Sequence, residues 1–156
     1  MAYKRNANGL ASLRNLTYRL RKFRAILDEE LFDAVHIYND EITNLVREQL
    51  WNGIDGFGQY IEPPYAPRTI KNKQKKGQPT DRVTLKDTGT FYRSFEVNTE
   101  NRDGFSVVST DPKINKLREK YGYSILRLTR DSFNYAIRQY IRPYLQQRLK
   151  EKIFEK

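Results

Sequence analysis

Leu13, Leu16, Leu20, Phe23 and Leu27 recur at alternating steps of three and four residues, the spacing that lays side chains along one stripe of an α-helix. Arginines occupy the other faces of that run. A second run opens on Asp28, Glu29 and Glu30, where acids suit the positive end of a helix dipole, and continues through Leu31, Val35, Tyr38, Ile42, Leu45 and Leu50. Asn52 and Gly53 end it. The pattern predicts a long helix over 28–51, with continuity into the first left open.

The periodicity then stops. Residues 52–84 hold four of the eight glycines and four of the six prolines, which predicts a long connection with at most a short helix near Arg68 to Lys75. A loop of this length in a compact domain is usually functional or disordered, so a partner site is expected there. Beyond it, "FEVNTE" (95–100) and "FSVVST" (105–110) flank Asn101 to Gly104. Short Val/Phe/Thr runs around an Asp-Gly pair read as a β-hairpin. "KINKLREKYG" reads as a short helix stopped by Gly122, and "YSILRLT" as a third strand. From Asp131 on, Phe133, Ile137, Tyr140, Ile141, Tyr144, Leu145 and Leu149 form a helical face over 131–152. Pro143 should bend it, because proline removes a backbone donor and crowds the preceding turn. The expected fold is α+β: long helices packed on a small antiparallel sheet at 95–110. One domain spans 1–156, with a basic helical extension at 1–27 and the long basic loop at 52–84.

Composition narrows the chemistry. The chain has 156 residues and no cysteine, so neither a disulfide framework nor a thiolate metal site is available. No signal-peptide run follows the N-terminus and no long apolar span occurs, so a protein of the aqueous phase without a membrane partner is expected. The net charge of +10 is uneven. Residues 1–27 carry seven Lys and Arg and no acid, residues 28–110 ten basic and fourteen acidic groups, and residues 111–156 twelve and five. Basic ends around an acidic middle suit a polyanion or an acidic protein as neighbour. A solvated surface that keeps a small protein dispersed accounts for the charge equally well.

The inventory argues against an enzyme, and no catalytic, cofactor or metal residue is assigned. His36 is the only histidine, and without cysteine it has no thiol partner and no zinc motif. Asp33, Asp40 and Glu41 near it suit helical i, i+4 pairing better than a catalytic dyad. "GIDGFG" (53–58) lacks both the preceding strand and the Gly-Lys-Ser/Thr ending of a phosphate loop. "PPYAP" (63–67) reads as a stiff loop segment more readily than as a polyproline ligand. A sequence-nonspecific nucleic-acid-binding accessory protein remains the alternative: Arg14, Arg21, Lys22, the 68–76 lysines and eleven tyrosines offer phosphate contacts and stacking surfaces.

"LKDTGTFYRSF" (85–95) follows the lysine-rich stretch. Thr88 is placed to cap a helix beginning at Gly89 or Thr90, and Gly89 permits close approach of the chain. Phe91 and Phe95, four apart, are expected on one face of that helix. The segment then works as a corner that holds the base of the basic loop, although an ordinary capped helix explains the same residues.

Tyr65, Pro67, Thr69 and Lys73, a lysine-rich insert, and then Leu85, Thr88, Gly89, Phe91 and Ser94 together resemble, over about 30 residues, the signature of phage virion morphogenesis proteins. These are the tail-completion and head-to-tail joining proteins of long-tailed phages. Tyr65 stands where that family usually has tryptophan, and "ILRLTR" where it has a "P-A-R-P" segment. The resemblance implies a noncatalytic α+β structural protein of the virion neck or tail end, assembled in the bacterial cytoplasm. It implies a homo-oligomeric ring, six copies by analogy, between portal-side (connector) and tail-tube-side proteins, with nonspecific contact to packaged DNA as a corollary. The basic residues Arg68, Lys71, Lys73, Lys75 and Lys76 are then expected to be the partner-binding set, on a loop that self-repulsion keeps mobile until a partner orders it.

Overall fold

The structure, a computed structural model, describes residues 7–99 and 104–154. It is the predicted α+β domain, mostly helical with one two-stranded antiparallel sheet. Helix α1 runs unbroken from Ala7 to Ile37, so the first predicted run and residues 28–37 of the second form one helix of 31 residues, about 46 Å long, and the helix expected over 28–51 is divided in two. No Gly or Pro interrupts the chain between Leu10 and Ile37, and nothing stops the helix at 27. The break comes at Tyr38, with φ −98° and ψ 24°. Its ring stacks on Tyr140 at 5.3 Å and meets Tyr144 edge-on at 6.4 Å. Helix α2 (Asn39–Trp51) then buries Ile42, Thr43, Val46, Gln49 and Leu50.

The 52–84 connection contains helix α3 (Pro67–Lys75), within a residue of the short helix expected there. After the single turn α4 (Thr90–Arg93), β1 (Phe95–Asn98) pairs with β2 (Ser106–Ser109), Phe95 opposite Ser109 and Val97 opposite Val107. Alternation sends Phe95, Val97 and Val107 into the core. The Asp-Gly turn expected between the strands falls largely on 100–103, outside the described residues. Asn39 Oδ1 accepts the Val97 amide at 2.9 Å and fastens the start of α2 to the sheet.

Helix α5 (Ile114–Tyr121) ends at Gly122, φ +87°. The expected third strand is not formed: Tyr123–Leu126 is a 3-10 turn that buries Ile125 and Leu126. Its polar backbone is taken by the Gly56 loop and by a side chain of α2 instead of a strand partner. Gly56 N donates to Ser124 O at 2.9 Å, and the Gln49 amide group bridges Arg127 O (3.0 Å) and Thr129 N (2.9 Å). Thr129 Oγ1 accepts the Ser132 amide and caps α6 (Arg130–Ala136). A wide π turn (Ile137–Ile141) leads into α7 (Arg142–Phe154). Pro143, two residues past that turn, accounts for it, since its ring crowds the carbonyl four residues back and it offers no donor.

Ile42, Leu50, Ile125 and Ile141 are the largest fully buried aliphatic side chains, each contributing about 2 kcal/mol of transfer free energy. Beside them α1 and α7 are joined through a buried acid. The Glu30 side chain is fully buried, with Arg148 Nε 3.0 Å from one carboxylate oxygen and Lys152 Nζ 2.5 Å from the other. The Lys152 hydrogen bond, opposed by desolvation and reinforced by Arg148, holds the Glu30 carboxyl below its ordinary value. The stability this adds is complete above the ordinary carboxylate range and is lost as pH falls through the lowered value. Glu30→Gln is expected to flatten the acid side of the stability-versus-pH curve. It should lower neutral-pH stability by about 2 kcal/mol, the two cations remaining partly hydrated. Urea unfolding at pH 7 and pH 3.5 checks both effects; an unchanged difference between the two pH values contradicts the assignment.

Candidate assembly site

Lys73 and Leu85 of the 65–94 pattern meet, with Thr84 and Tyr92, around the Tyr65 phenol. The Tyr65 hydroxyl accepts the amides of Thr84 and Leu85, each at 2.9 Å. Leu85 sits at φ +54°, a left-handed conformation uncommon for a leucine, and the shared acceptor holds it there. Tyr92 donates its hydroxyl to Thr84 O at 2.6 Å, and burial raises the Tyr92 phenol well above its usual range. Lys73 completes the group: its ammonium donates to Lys86 O at 2.6 Å and Gln78 Oε1 at 3.1 Å, 4.9 Å from the centre of the Tyr65 ring. Pro67 opens α3 after an extended Ala66, the conformation a following proline favours. Thr69 is half-buried on that helix.

At the corner, Gly89 is left-handed with φ +84° and its carbonyl accepts the Arg93 amide at 3.0 Å. Helix α4 begins at Thr90 as expected, but Thr88 is not its cap. Its hydroxyl lies 2.9 Å from that of Thr90 and 3.5 Å from the Thr90 amide, too long for a strong bond. The glycine conformation, rather than a capping side chain, starts the turn. Phe95 opens β1 instead of sharing the helix with Phe91, yet the rings still meet edge-on at 4.9 Å. Ser94 Oγ bonds Phe91 O and Ser109 Oγ, both at 2.7 Å, so helix and hairpin are tied together.

The five basic residues separate into two kinds. Arg68, Lys71 and Lys75 are exposed on α3. Lys76 is exposed and paired with Asp87, whose carboxyl is held below its ordinary value by that hydrogen bond. Lys73 is 6% exposed and faces inward, so its assignment to the partner-binding set is corrected: it anchors the helix. The basic stretch is a tethered helix rather than a free loop. Lys73→Ala is expected to cost about 2 kcal/mol by leaving the Lys86 carbonyl unpaired, and Lys71→Ala or Lys75→Ala less than about 0.5 kcal/mol. Equal urea midpoints for the three variants would remove Lys73 from the hub.

Sequence reasoning missed a second region. Asp55 Oδ1 accepts the amides of Phe57 (2.9 Å) and Gln59 (3.0 Å), and Oδ2 accepts the Ser124 hydroxyl at 2.8 Å. The "GIDGFG" loop is thus docked on the 3-10 turn. Arg127 lies 5.2 Å over Phe57 and Arg118 5.6 Å over Tyr123. Interleaved Asp and Gly in that loop were the available signal.

The N-terminal stripe is placed unexpectedly. Leu13, Leu16, Leu20 and Phe23 lie between 40% and 61% exposed, whereas Ala34 and Val35 on the same face of α1 are buried. His36 is exposed, its ring 4.3 Å from that of Phe32. Among the described residues no group of His, Asp and Glu is arranged to hold a metal ion, and no helix is long and apolar enough to cross a membrane. No protein-family model, curated protein or solved structure compared with the chain matches it.

Proposed function

We propose that the chain is a structural virion protein of a tailed phage. In this reading identical copies close into a ring, six by the resemblance, at the head-to-tail junction or tail end, completing the tail and joining it to the connector. One observation carries the reading: Tyr65, Lys73 and Leu85, three of the positions that resemble the tail-completion signature, meet at a single hub. That hub presents Arg68, Lys71 and Lys75 outward on a fixed helix. A rigid basic helix on an anchored base is suited to docking against an acidic neighbour without ordering a loop first. A domain whose helical side differs from its loop-and-sheet side is suited to a head-to-tail contact that closes into a ring.

A virus carrying Arg68→Ala, Lys71→Ala and Lys75→Ala together, with Lys73 left intact, is expected to accumulate filled heads and tails that fail to join. Infectious tailed particles at normal yield would remove α3 as the joint. A particle reconstruction with a single copy, or copies scattered over the capsid, would remove the ring. The nucleic-acid reading is favoured only by Arg14, Arg21 and Lys22, which are exposed and have no ion pair among the described residues. Micromolar DNA affinity that survives physiological salt would support it, and steeply salt-sensitive binding would not.

A further inference from the structure

The apolar face of α1 is continuous, but its cover is not. Leu13, Leu16, Leu20, Phe23, Leu27, Leu31, Ala34 and Val35 follow one another at helical spacing. From Leu31 on, that face is packed in the domain, where α7 lies alongside and its Lys152 reaches Glu29 and Glu30. From Leu13 to Phe23 the same face is exposed. Arg19 and Arg24 border this free half, Arg14, Arg21 and Lys22 lie on the far side of the helix, and no acid precedes Asp28. Two such stripes laid together would oppose like charges, so the face that covers one must be apolar and acidic.

The same molecule carries a face of that kind. Glu41, Leu45 and Glu48 form a ridge along α2 at steps of four and three, and Tyr38, at the break just before that helix, continues it. Beside it the Tyr140 ring lies 5.3 Å from Tyr38 and 5.8 Å from Tyr135. Tyr135 is 49% exposed. Glu41 and Glu48 are exposed and, among the described residues, have no side-chain ion pair. Their closeness to the aromatic cluster is felt in the Tyr140 phenol, raised by burial first, then by Tyr135 and these two carboxylates. The other acidic surface near an exposed ring, around Phe32, is already partly neutralised: Asp28 pairs with Arg24 and Glu29 with Lys152.

We propose that the free half of α1, residues 12–24, is an arm that docks on the Tyr38–Glu41–Glu48–Tyr135 face of a second copy of the chain. Leu13, Leu16, Leu20 and Phe23 seat against the aromatic ridge, and Arg19 and Arg24 on the stripe's two flanks meet Glu41 and Glu48, Arg24 exchanging its long, exposed 3.9 Å contact with Asp28 for the new one. A helix laid in a groove on such anchors is a common recognition mode. Each copy gives one arm and receives one, and an arm passed on to the next copy makes the contact head-to-tail, so that it propagates around a ring. The inference deepens the ring reading above and supplies its interface, although the arm contact is testable in solution without a particle.

The chain contains no cysteine, so single introduced thiols report cleanly. Leu16→Cys and Glu48→Cys proteins, mixed and treated with a short bismaleimide, are expected to give a covalent heterodimer well in excess of either homodimer. Arg19→Glu with Arg24→Glu should weaken association by roughly tenfold or more, and a partner carrying Glu41→Arg with Glu48→Arg should restore it. Circular dichroism controls for folding. A dominant Leu16→Cys homodimer would assign the stripe to a second stripe and overturn the proposal. Absence of any cross-link also overturns it, whether the arm stays free or binds DNA or anionic vesicles. A ring seen in particles with no arm cross-link removes this contact alone, whereas a robust cross-link with a single copy per particle removes the ring reading alone.

Discussion

Tyr65→Phe is expected to destabilise the domain by about 3 kcal/mol. The phenol oxygen is the shared acceptor for two backbone donors, Thr84 N and Leu85 N, and an unpaired buried amide costs about 1–3 kcal/mol. Loss of the second bond also releases Leu85 from φ +54°, a backbone state that needs its surroundings to hold it. In a chain of 156 residues the expected fall in melting temperature is roughly 6–12 °C. Tyr65→Trp is the sharper test, because an indole N–H donates and cannot accept. The residue that the resembling family usually carries should therefore fail to rescue this chain. A melting temperature within about 2 °C of the parent for either variant would show that the two amides find other acceptors.

Gly56→Val is expected to be at least as damaging, by about 3 kcal/mol or more. A Cβ at Gly56 falls 2.4 Å from Arg127 Cβ and 2.7 Å from the Arg127 carbonyl oxygen. The strand of backbone in its way cannot retreat easily. Gly56 N is bonded to Ser124 O, the Gln49 amide holds Arg127 O, and Ile125 and Leu126 between them are buried. Gly58→Val separates contact from conformation. Gly58 has φ +78° but nothing within 4 Å of its added Cβ, so only the backbone cost of about 1–2 kcal/mol applies. Equal urea midpoints for the two variants would mean that the close approach at Arg127 has no energetic weight.

Helix positions were legible because they depend on near neighbours. The stripe through Leu13 and Leu20, the Asn52-Gly53 stop, Pro67 at the start of α3 and Gly122 at the end of α5 are each stated by a few adjacent residues. The hairpin was legible for the same reason, only seven residues separating its strands in the sequence. Periodicity also said that residues 13–27 make an amphipathic helix. It could not say whether anything covers the stripe, since cover is supplied by α7 more than a hundred residues later, and it reaches Glu30 but not Phe23.

Composition misled where distant groups competed for the backbone. "YSILRLT" has strand-like residues, but the carbonyls of Ser124 and Arg127 are taken by Gly56 and Gln49, so no ladder forms. Lys73 looked like one more charge in a basic run, and only the fold brings Lys86 O and the Tyr65 ring to its ammonium. Local spacing by itself determined which segments coil and most of their ends, though not the break at Tyr38, because helix and turn energies are set within four residues. The tertiary structure alone decided which charges are buried, which backbone groups are shared and which apolar face is left open, because those depend on groups distant in sequence meeting within a few ångströms.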